Sequence, residues 1–200
     1  MARMTGAEAL VRTLRAEGVR HVFGIVGGKL APLLHAISRE PELRFFGVRH
    51  EAAAPLMAAA VNAGSGRMAV AVGEMGPGGL NLAAGIGTAA NNHLPLLAVT
   101  SNQHRAAAYP HAGMFMDLDT LALFKPLVKW NAVVHDGRRI PELVRRAFRE
   151  ALQSPDVIDS LAKNGLQPVH QSPEEFAQLL RQDYQKWGAI QKATGFTAED

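Results

Sequence analysis

One carboxylate and two glycine-bearing turns are the features of this sequence whose residue types and spacing could serve chemistry. Glu51 follows His50 where an apolar run gives way to an alanine-rich segment. Gly27-Gly28 and Gly76-Pro77-Gly78-Gly79 stand at corresponding points after two other apolar runs. A carboxylate can share a proton with a bound group, and glycine lets the backbone approach a ligand closely. These positions predict a site, without yet indicating which kind.

Each of these features also has a purely structural explanation. Glu51 would favour the positive end of the helix that follows it, a contribution of about 0.3–1 kcal/mol. Gly76-Pro77-Gly78-Gly79 could be a plain strand-to-helix turn, and it matches neither the P-loop nor the dinucleotide-binding fingerprint. Asn91-Asn92-His93 is typical of a helix end followed by a turn.

The composition argues against several other kinds of site. The chain has no cysteine, which removes disulfides, thiolate nucleophiles and cysteine-based metal sites. Its eight histidines include no pair at i, i+4 spacing and no paired carboxylates accompany them, so we expect no metal site built by this chain. No stretch reaches the roughly 18 apolar residues of a membrane span, and residues 1–20 do not resemble an export signal. We therefore expect a cytoplasmic protein without a membrane segment.

Charge is distributed unevenly along the chain. Residues 1–153 hold 17 Lys and Arg against 11 Asp and Glu, whereas residues 154–200 hold 4 against 7. The basic residues concentrate in two helical stretches, within 12–20 and 138–149, where aromatic residues are scarce and no nucleic-acid-binding motif occurs. We therefore expect solvated helix faces and no nucleic-acid partner, and the change of charge indicates that two different segments meet near residue 153.

Short apolar runs alternate with helical patterns at intervals of about 25 residues. The predicted strands are His21–Val26, Arg44–Val48, Met68–Val72, Pro95–Ser101 and Lys129–Val134. The predicted helices are Ala7–Glu17, Leu30–Ser38, Ala52–Asn62, Leu80–Ala90, Leu118–Phe124 and Pro141–Leu152. This alternation predicts an α/β fold with a doubly wound, mostly parallel sheet between two helical layers, a three-layer α/β/α arrangement, and a C-terminal helical appendage. In open sheets of this class ligands bind beyond the carboxyl ends of the strands, which is where the glycines, His50-Glu51 and Ser101–Gln103 lie.

The order and spacing of these pieces resemble the N-terminal domain of the acetolactate synthase and benzoylformate decarboxylase superfamily, whose members use thiamine diphosphate. The resemblance runs from about Thr5 to Leu152, so we assign residues 1–152 to a pyrimidine-binding domain. The segments that carry it are Gly18–Gly24, Gly27-Gly28, Val48–Ala54, Gly76–Asn81, Pro95–Thr100 and Phe124–Trp130.

The resemblance implies a role for each matching residue. Glu51 would hydrogen-bond a ring nitrogen of the cofactor's aminopyrimidine and favour the imino tautomer that activates the thiazolium ring. Gly76, Pro77 and Gly78 match the turn that packs beside the pyrimidine, and Gly27 and Gly28 match a second turn at the cofactor.

Two further residues keep alternative explanations open. Gln103 stands where related carboligases carry a polar residue on the substrate side, or it is simply a polar residue at a strand end. His50 could donate to the substrate, although a histidine before this glutamate more often orients the turn.

The chain also departs from the family pattern. Val26 replaces the usual proline of the first glycine turn, and Ala59-Ala60-Val61 replaces a common Asp-Gly-Tyr. The family's magnesium- and diphosphate-binding domain has no counterpart in these residues, so Mg²⁺ would be held only through a partner domain.

Residues 153–200 resemble the C-terminal tail of Bug/TctC-type solute receptors, in which this segment is a strand and a long helix. Ser172 is a suitable helix cap before Pro173, and Glu175 would complete a capping box. The alternative is an unrelated amphipathic helix. Either way, these 48 or so residues are expected to form an appendage.

The sequence thus favours a domain that supplies the activating glutamate of a decarboxylase or carboligase acting on 2-keto acids, incomplete and inactive alone. Its partner would be a second copy, in a homodimer, or a separate diphosphate-binding subunit. The alternatives are the active half of a split enzyme and a non-catalytic scaffold or truncated fusion product.

Overall fold

Four parallel strands form a single sheet within the residues that the computed structural model describes, which are 4–110, 114–163 and 173–194, without the side chains of 173–177. The strands are β1 (His21–Gly24), β2 (Arg44–Gly47), β3 (Val70–Gly73) and β4 (Leu97–Thr100), in the order β2-β1-β3-β4. In register, Gly24 pairs with Gly47 on one side and with Val72 on the other. Because all pairs are parallel, the carboxyl ends of the strands lie at one edge of the sheet.

Helices follow the strands in the alternating order that the sequence predicts. They are α1 (Gly6–Ala16), α2 (Ala31–Ser38), α3 (Ala53–Ser65), α4 (Pro77–Asn91), α5 (Thr120–Phe124), α6 (Ile140–Leu152), α7 (Pro155–Lys163) and α8 (Pro173–Thr194). The chain divides into two compact units, Met1–Pro168 and Val169–Asp200, and α8 belongs to the second. No helix in the described ranges has both the length and the apolar character needed to cross a membrane.

The two faces of the sheet carry different side chains because residues alternate along each strand. One face presents Val22, Val70 and Val72 to a core formed with α1, α2 and α6. The other presents Phe23 and Ala71 to a core formed with α3, α4 and α5. These two cores on opposite faces confirm the predicted three-layer α/β/α arrangement.

Local sequence signals explain several helix ends. Thr5 and Glu8 form a reciprocal capping box that starts α1. Pro77 lies in the first turn of α4, where the missing N–H has no helical partner to lose. Gly66 ends α3 with a left-handed φ of 68°, which glycine adopts without the strain that a Cβ would bring.

The predicted strand at Lys129–Val134 is wrong, because residues 131–134 make no ladder with the sheet. They share with β4 the lining of an apolar cleft of about 510 Å³. Their apolar side chains fit a strand pattern, but a strand also needs ladder hydrogen bonds to a neighbouring backbone, and within the described residues 131–134 form none.

α7 packs directly after α6 and buries Val157 and Leu161. Asp156 ties this helix to the rest of its unit, since its Oδ2 accepts from Lys129 Nζ at 2.6 Å and lies 2.9 Å from His93 Nδ1. The division drawn from sequence between residues 152 and 153 stays a prediction. Ser172 and the Pro168-Val169 segment of the predicted appendage lie outside the described residues.

The end of β1 is packed too closely for a side chain, and this can be tested with a paired position. A Cβ at Gly24 would overlap Cγ2 and the carbonyl oxygen of Val72, whereas a Cβ at its register partner Gly47 would meet nothing within 4 Å. Gly24→Ala should therefore lower the free energy of unfolding by about 1–3 kcal/mol, as overpacking does. Urea denaturation measures it, and Gly47→Ala is the control. Equal midpoints for the two variants would contradict this packing.

The contact between Asp156, Lys129 and His93 predicts a pH dependence. The hydrogen bond from Lys129, assisted by that from His93, lowers the pKa of Asp156 to about 2 from its ordinary 3.8. The stabilising effect of the charged Asp156 carboxylate is therefore complete above pH 3.8 and is lost as the pH falls through about 2. Asp156→Asn should lower the urea midpoint near neutral pH, and this difference from wild type should vanish towards pH 2. Asp159→Asn, an exposed change on the same helix, should show no such trend.

Candidate functional site

Glu51 lies in the turn between β2 and α3, at the carboxyl edge of the sheet. Its backbone carbonyl accepts the N–H of Ala54 at 2.9 Å, which fixes the turn at the start of the helix. Nδ1 of His50 accepts the N–H of Ala52 at 3.2 Å. His50 therefore orients the turn that carries Glu51.

The two oxygens of the Glu51 carboxylate have different surroundings. Oε2 accepts a hydrogen bond from Asn81 Nδ2 at 2.9 Å in a partly buried environment. Oε1 accepts no hydrogen bond within the part of the chain described, and it lies 3.3 Å from the position that a Cβ on Gly78 would occupy. One oxygen is thus held, and the other lies beside bare backbone.

The turn at Gly76-Pro77 places the start of α4 next to this carboxylate. Gly76 has φ 66° and ψ −115°, a conformation that side chains rarely adopt. A Cβ there would also stand 2.6 Å from the carbonyl oxygen of Met116, so the loop at 114–117 packs closely over the turn. Both restrictions explain why glycine occupies this position.

Glu74 is a second carboxylate at the same edge, immediately after β3. Its oxygens accept the backbone N–H of Lys29 at 3.1 and 3.3 Å, and Oε1 lies 3.4 Å from Ser101 Oγ. A Cβ on Gly27 would overlap the Glu74 carboxylate, so this glycine is required for the contact. Glu74 therefore attaches the first glycine turn to the ends of β3 and β4.

Gln103 bridges the first glycine turn and the loop at 114–117. Its Oε1 accepts from Lys29 Nζ at 2.9 Å, and its Nε2 donates to the carbonyl of Phe115 at 2.9 Å. Lys29 is exposed and forms no ion pair within the described ranges, so its ammonium has N–H groups left to offer. Lys29, more than Gln103, is the group that this arrangement presents outwards.

The predicted site residues form two connected clusters. Glu51 and Gly78 meet through α4, while Gly27 and Gln103 are linked through Glu74 and Lys29. Gly78 joins the clusters, because its absent Cβ would stand 3.3 Å from both Glu51 Oε1 and Glu74 Cβ.

Gly28 and Pro77, the remaining predicted residues, make fewer contacts with the two clusters. Gly28 borders open space, and a Cβ there would contact nothing within 4 Å. Pro77 is exposed at the first turn of α4. Among the described residues, no group of three His, Asp or Glu side chains is arranged to hold a metal ion.

Two functional candidates, Asn81 and Glu74, are absent from the sequence prediction. Asn81 follows Gly78 by three residues, so the helical repeat alone places both on one face of α4. Glu74 directly follows a fully buried strand, where an acidic side chain at a strand end is itself a signal of a site. Both signals were in the sequence, but neither identifies the partner atom.

Comparison with known proteins identifies relatives of this chain. A family model described as thiamine pyrophosphate enzyme, N-terminal TPP binding domain, matches residues 4–123. An acetolactate synthase of Arthrospira platensis is 32% identical over 91% of this chain and 32% of its own length. An acetolactate synthase of Bacillus subtilis is 40% identical over 73% of this chain and 25% of its own. A sulfoacetaldehyde acetyltransferase of Rhodobacter capsulatus is 35% identical over 74% and 25%, respectively.

The chain spans about a quarter to a third of the length of these curated relatives.

Removing the Glu74 carboxylate should loosen the first glycine turn. Glu74→Ala leaves the Lys29 N–H without its acceptor, so its hydrogen exchange should accelerate by about ten-fold or more, the value of a hydrogen bond to a charged group. Amide exchange followed by NMR measures this directly. Glu74→Gln keeps an acceptor and should retain most of the protection, and unchanged exchange in Glu74→Ala would refute the anchoring role.

Proposed function

Because the chain belongs to the family of thiamine pyrophosphate enzymes, as an N-terminal TPP-binding domain of the acetolactate synthase-like type, we propose that it binds the aminopyrimidine of thiamine diphosphate against Glu51. The observation that carries this proposal is the unequal environment of the Glu51 carboxylate. Oε2 is held by Asn81, and Oε1 has no partner among the described residues. A carboxylate oxygen of this kind can accept a hydrogen bond from a protonated ring nitrogen.

Glycines bring the backbone of α4 close to Glu51 without a side chain over its carboxylate. Gly78 has no side chain beside Oε1, and Gly76 turns the chain at a φ of 66° to begin α4. A Cβ at Gly78 would lie 3.3 Å from Glu51 Oε1, from Glu74 Cβ and from the carbonyl carbon of Gly73, so this glycine lets the start of α4 approach both carboxylates. We assign Gly76, Pro77 and Gly78 to the pyrimidine side of the site and Gly27 and Gly28 to its second turn.

Within this site the chain's own residues perform limited and defined tasks. Glu51 Oε1 holds or accepts a proton at the ring nitrogen, and the partly buried position of the carboxylate strengthens that hydrogen bond. His50 fixes the turn, while Glu74 fixes the opposite glycine turn. When bound, thiamine diphosphate supplies the carbanion chemistry by which its enzymes cleave and join bonds beside a carbonyl.

The acetolactate synthase-like relatives suggest the chemical class of the complete enzyme. We propose a decarboxylase or carboligase that acts on a 2-keto acid, with His50 and Gln103 on the substrate side. We further propose that a domain outside these residues holds Mg²⁺ and the diphosphate, and that this chain has no turnover by itself. Gln103 would act mainly by holding Lys29, since both ends of its amide are engaged.

A partner is supported by apolar side chains on the two helices that flank Glu51. Leu56 and Met57 of α3 and Leu80 of α4 are 44%, 41% and 50% exposed. Large apolar side chains exposed on two neighbouring helices favour association with another protein. We therefore propose either a homodimer or a complex with a diphosphate-binding subunit, in the cytoplasm.

Two other functions are distinguishable from this one. A split enzyme would gain activity when a separate diphosphate-binding subunit is added. A scaffold would keep its association with partners after Glu51→Gln, since that role needs the sheet and the exposed helices but not the carboxylate.

Replacement of Glu51 should weaken the binding of the cofactor. Glu51→Gln removes the charge from a hydrogen bond to the ring nitrogen, so we expect the affinity for thiamine diphosphate with Mg²⁺ to fall about ten-fold. Isothermal titration calorimetry of the chain measures it, with and without a diphosphate-binding partner. Glu42→Gln is the control, because Glu42 pairs with Arg15 and Arg20 and has no contact with the site.

The same variant tests catalysis in an assembled complex. Glu51→Gln should abolish exchange of the thiazolium proton, and Glu42→Gln should leave the rate unchanged. Exchange at the wild-type rate in Glu51→Gln would be incompatible with Glu51 as the activating residue.

A further inference from the structure

One face of α4 carries three residues that meet the turn around Glu51 in succession. Gly78, Asn81 and Gly85 are separated by three and four positions, the spacing of one helix face. Gly78 lies beside Glu51 Oε1, and Asn81 Nδ2 donates to Glu51 Oε2 at 2.9 Å. A Cβ at Gly85 would overlap the carbonyl oxygen of Ala52. The two glycines thus allow the approach, and the amide between them makes the polar contact.

We propose that Asn81 is a positioning residue, which fixes the Glu51 carboxylate so that Oε1 is the oxygen presented to the pyrimidine ring. This inference rests on the proposed function and assigns a task to a residue that the family resemblance did not. Glutamate has three side-chain torsions, and in this turn it is only partly buried. Without a donor on Oε2 the carboxylate would rotate among several rotamers and present either oxygen, or neither, to the ring.

The chemistry of an amide suits this task. Asn81 Nδ2 donates a hydrogen bond and carries no charge, so it orients the carboxylate without neutralising it. An ammonium or guanidinium at this place would form an ion pair and compete with the ring nitrogen for the proton-sharing oxygen. An acid would repel Glu51. The close contact at Gly85 keeps α4 at a fixed distance, so the amide reaches Oε2 and not the backbone of the turn.

An alternative is that Asn81 merely helps α4 adhere to α3. The two explanations differ in what an isosteric change does. Asn81→Asp preserves the shape of the side chain, removes the donor and adds a charge that repels Glu51, whereas Asn81→Ala removes the donor without adding a charge. Asn92→Asp is the matched control: it is the same chemical change at the residue that caps the end of α4, where the amide donates to the carbonyl of Thr88 at 2.8 Å and, among the described residues, to no group of the site.

The test uses the whole chain and thiamine diphosphate labelled with ¹⁵N at the ring nitrogen N1′, added with Mg²⁺. The ¹⁵N shift of N1′ reports how far a proton is shared with the carboxylate, and the same titration gives the affinity. In wild type and Asn92→Asp we expect the N1′ resonance of bound thiamine diphosphate to be displaced by the same amount from that of the free cofactor. In Asn81→Asp and Asn81→Ala the displacement should fall by about half or more, and the affinity should fall by about ten-fold at most.

A second measurement, made without cofactor, checks the contact itself. The side-chain amide resonances of Asn81 should move in Glu51→Ala and stay unchanged in Glu74→Ala. Movement in neither variant, or an equal response in both, would overturn the proposal whatever the cofactor does.

The outcomes separate this inference from the proposed function. If Asn81→Asp keeps the full N1′ displacement while Glu51→Gln loses it, Glu51 acts on the ring and Asn81 does not position it. If Glu51→Gln also keeps the displacement, or wild type binds no thiamine diphosphate, the proposed function fails and the role of Asn81 fails with it. A loss of displacement in Asn92→Asp as large as in Asn81→Asp would mean that the effect is one of helix stability.

Discussion

The face of α4 that carries Gly78, Asn81 and Gly85 packs against the turn that holds Glu51, and the contact leaves no room for side chains at Gly85. This approach depends on the sheet below it. Ala69, Ala71 and Ala98 on that face are small beside the larger Phe23, so helices α3 and α4 can lie close to the strands and to each other. Small residues at a helix interface let backbones approach, and here they also bring an amide within 2.9 Å of a carboxylate. The site's geometry is therefore a consequence of core packing on one face of the sheet.

The opposite glycine turn is held by a different kind of interaction. Glu74 reaches back from the end of β3 to the N–H of Lys29, and a bare Gly27 makes room for it. The two carboxylates at this edge thus have separate duties: one is tied up by backbone and hydroxyl donors, and the other keeps an oxygen available. The environment of each carboxylate, and not its residue type, assigns its role.

The layers of the fold and the alternation of strands and helices were predictable because hydrophobic periodicity and glycine-bearing turns specify them locally. That Lys129–Val134 forms no strand was not predictable, since the pattern of its side chains says nothing of whether a neighbouring backbone comes within hydrogen-bonding distance. The position of Glu51 beyond a strand end was predictable from the apolar run before it, and its role, which the family resemblance implies, stays a prediction. Asn81 and Glu74 were not predictable, because their importance lies in partners 30 and 45 residues away along the chain. Periodicity orients a residue on its own element, but it does not identify the atom that the residue meets across the fold.

Three of the four strands end on glycine, namely Gly24, Gly47 and Gly73. At these three strand ends the edge of the sheet presents peptide groups and no side chain, and Thr100 is the residue at the end of the fourth strand. The chemical groups that the site offers to a ligand come instead from residues on turns and helix starts, such as Lys29, Glu51 and Gln103. Residues on turns and helix starts can be substituted one at a time while the sheet beneath them keeps its shape. A domain built in this way allows related enzymes to bind different ligands on the same fold.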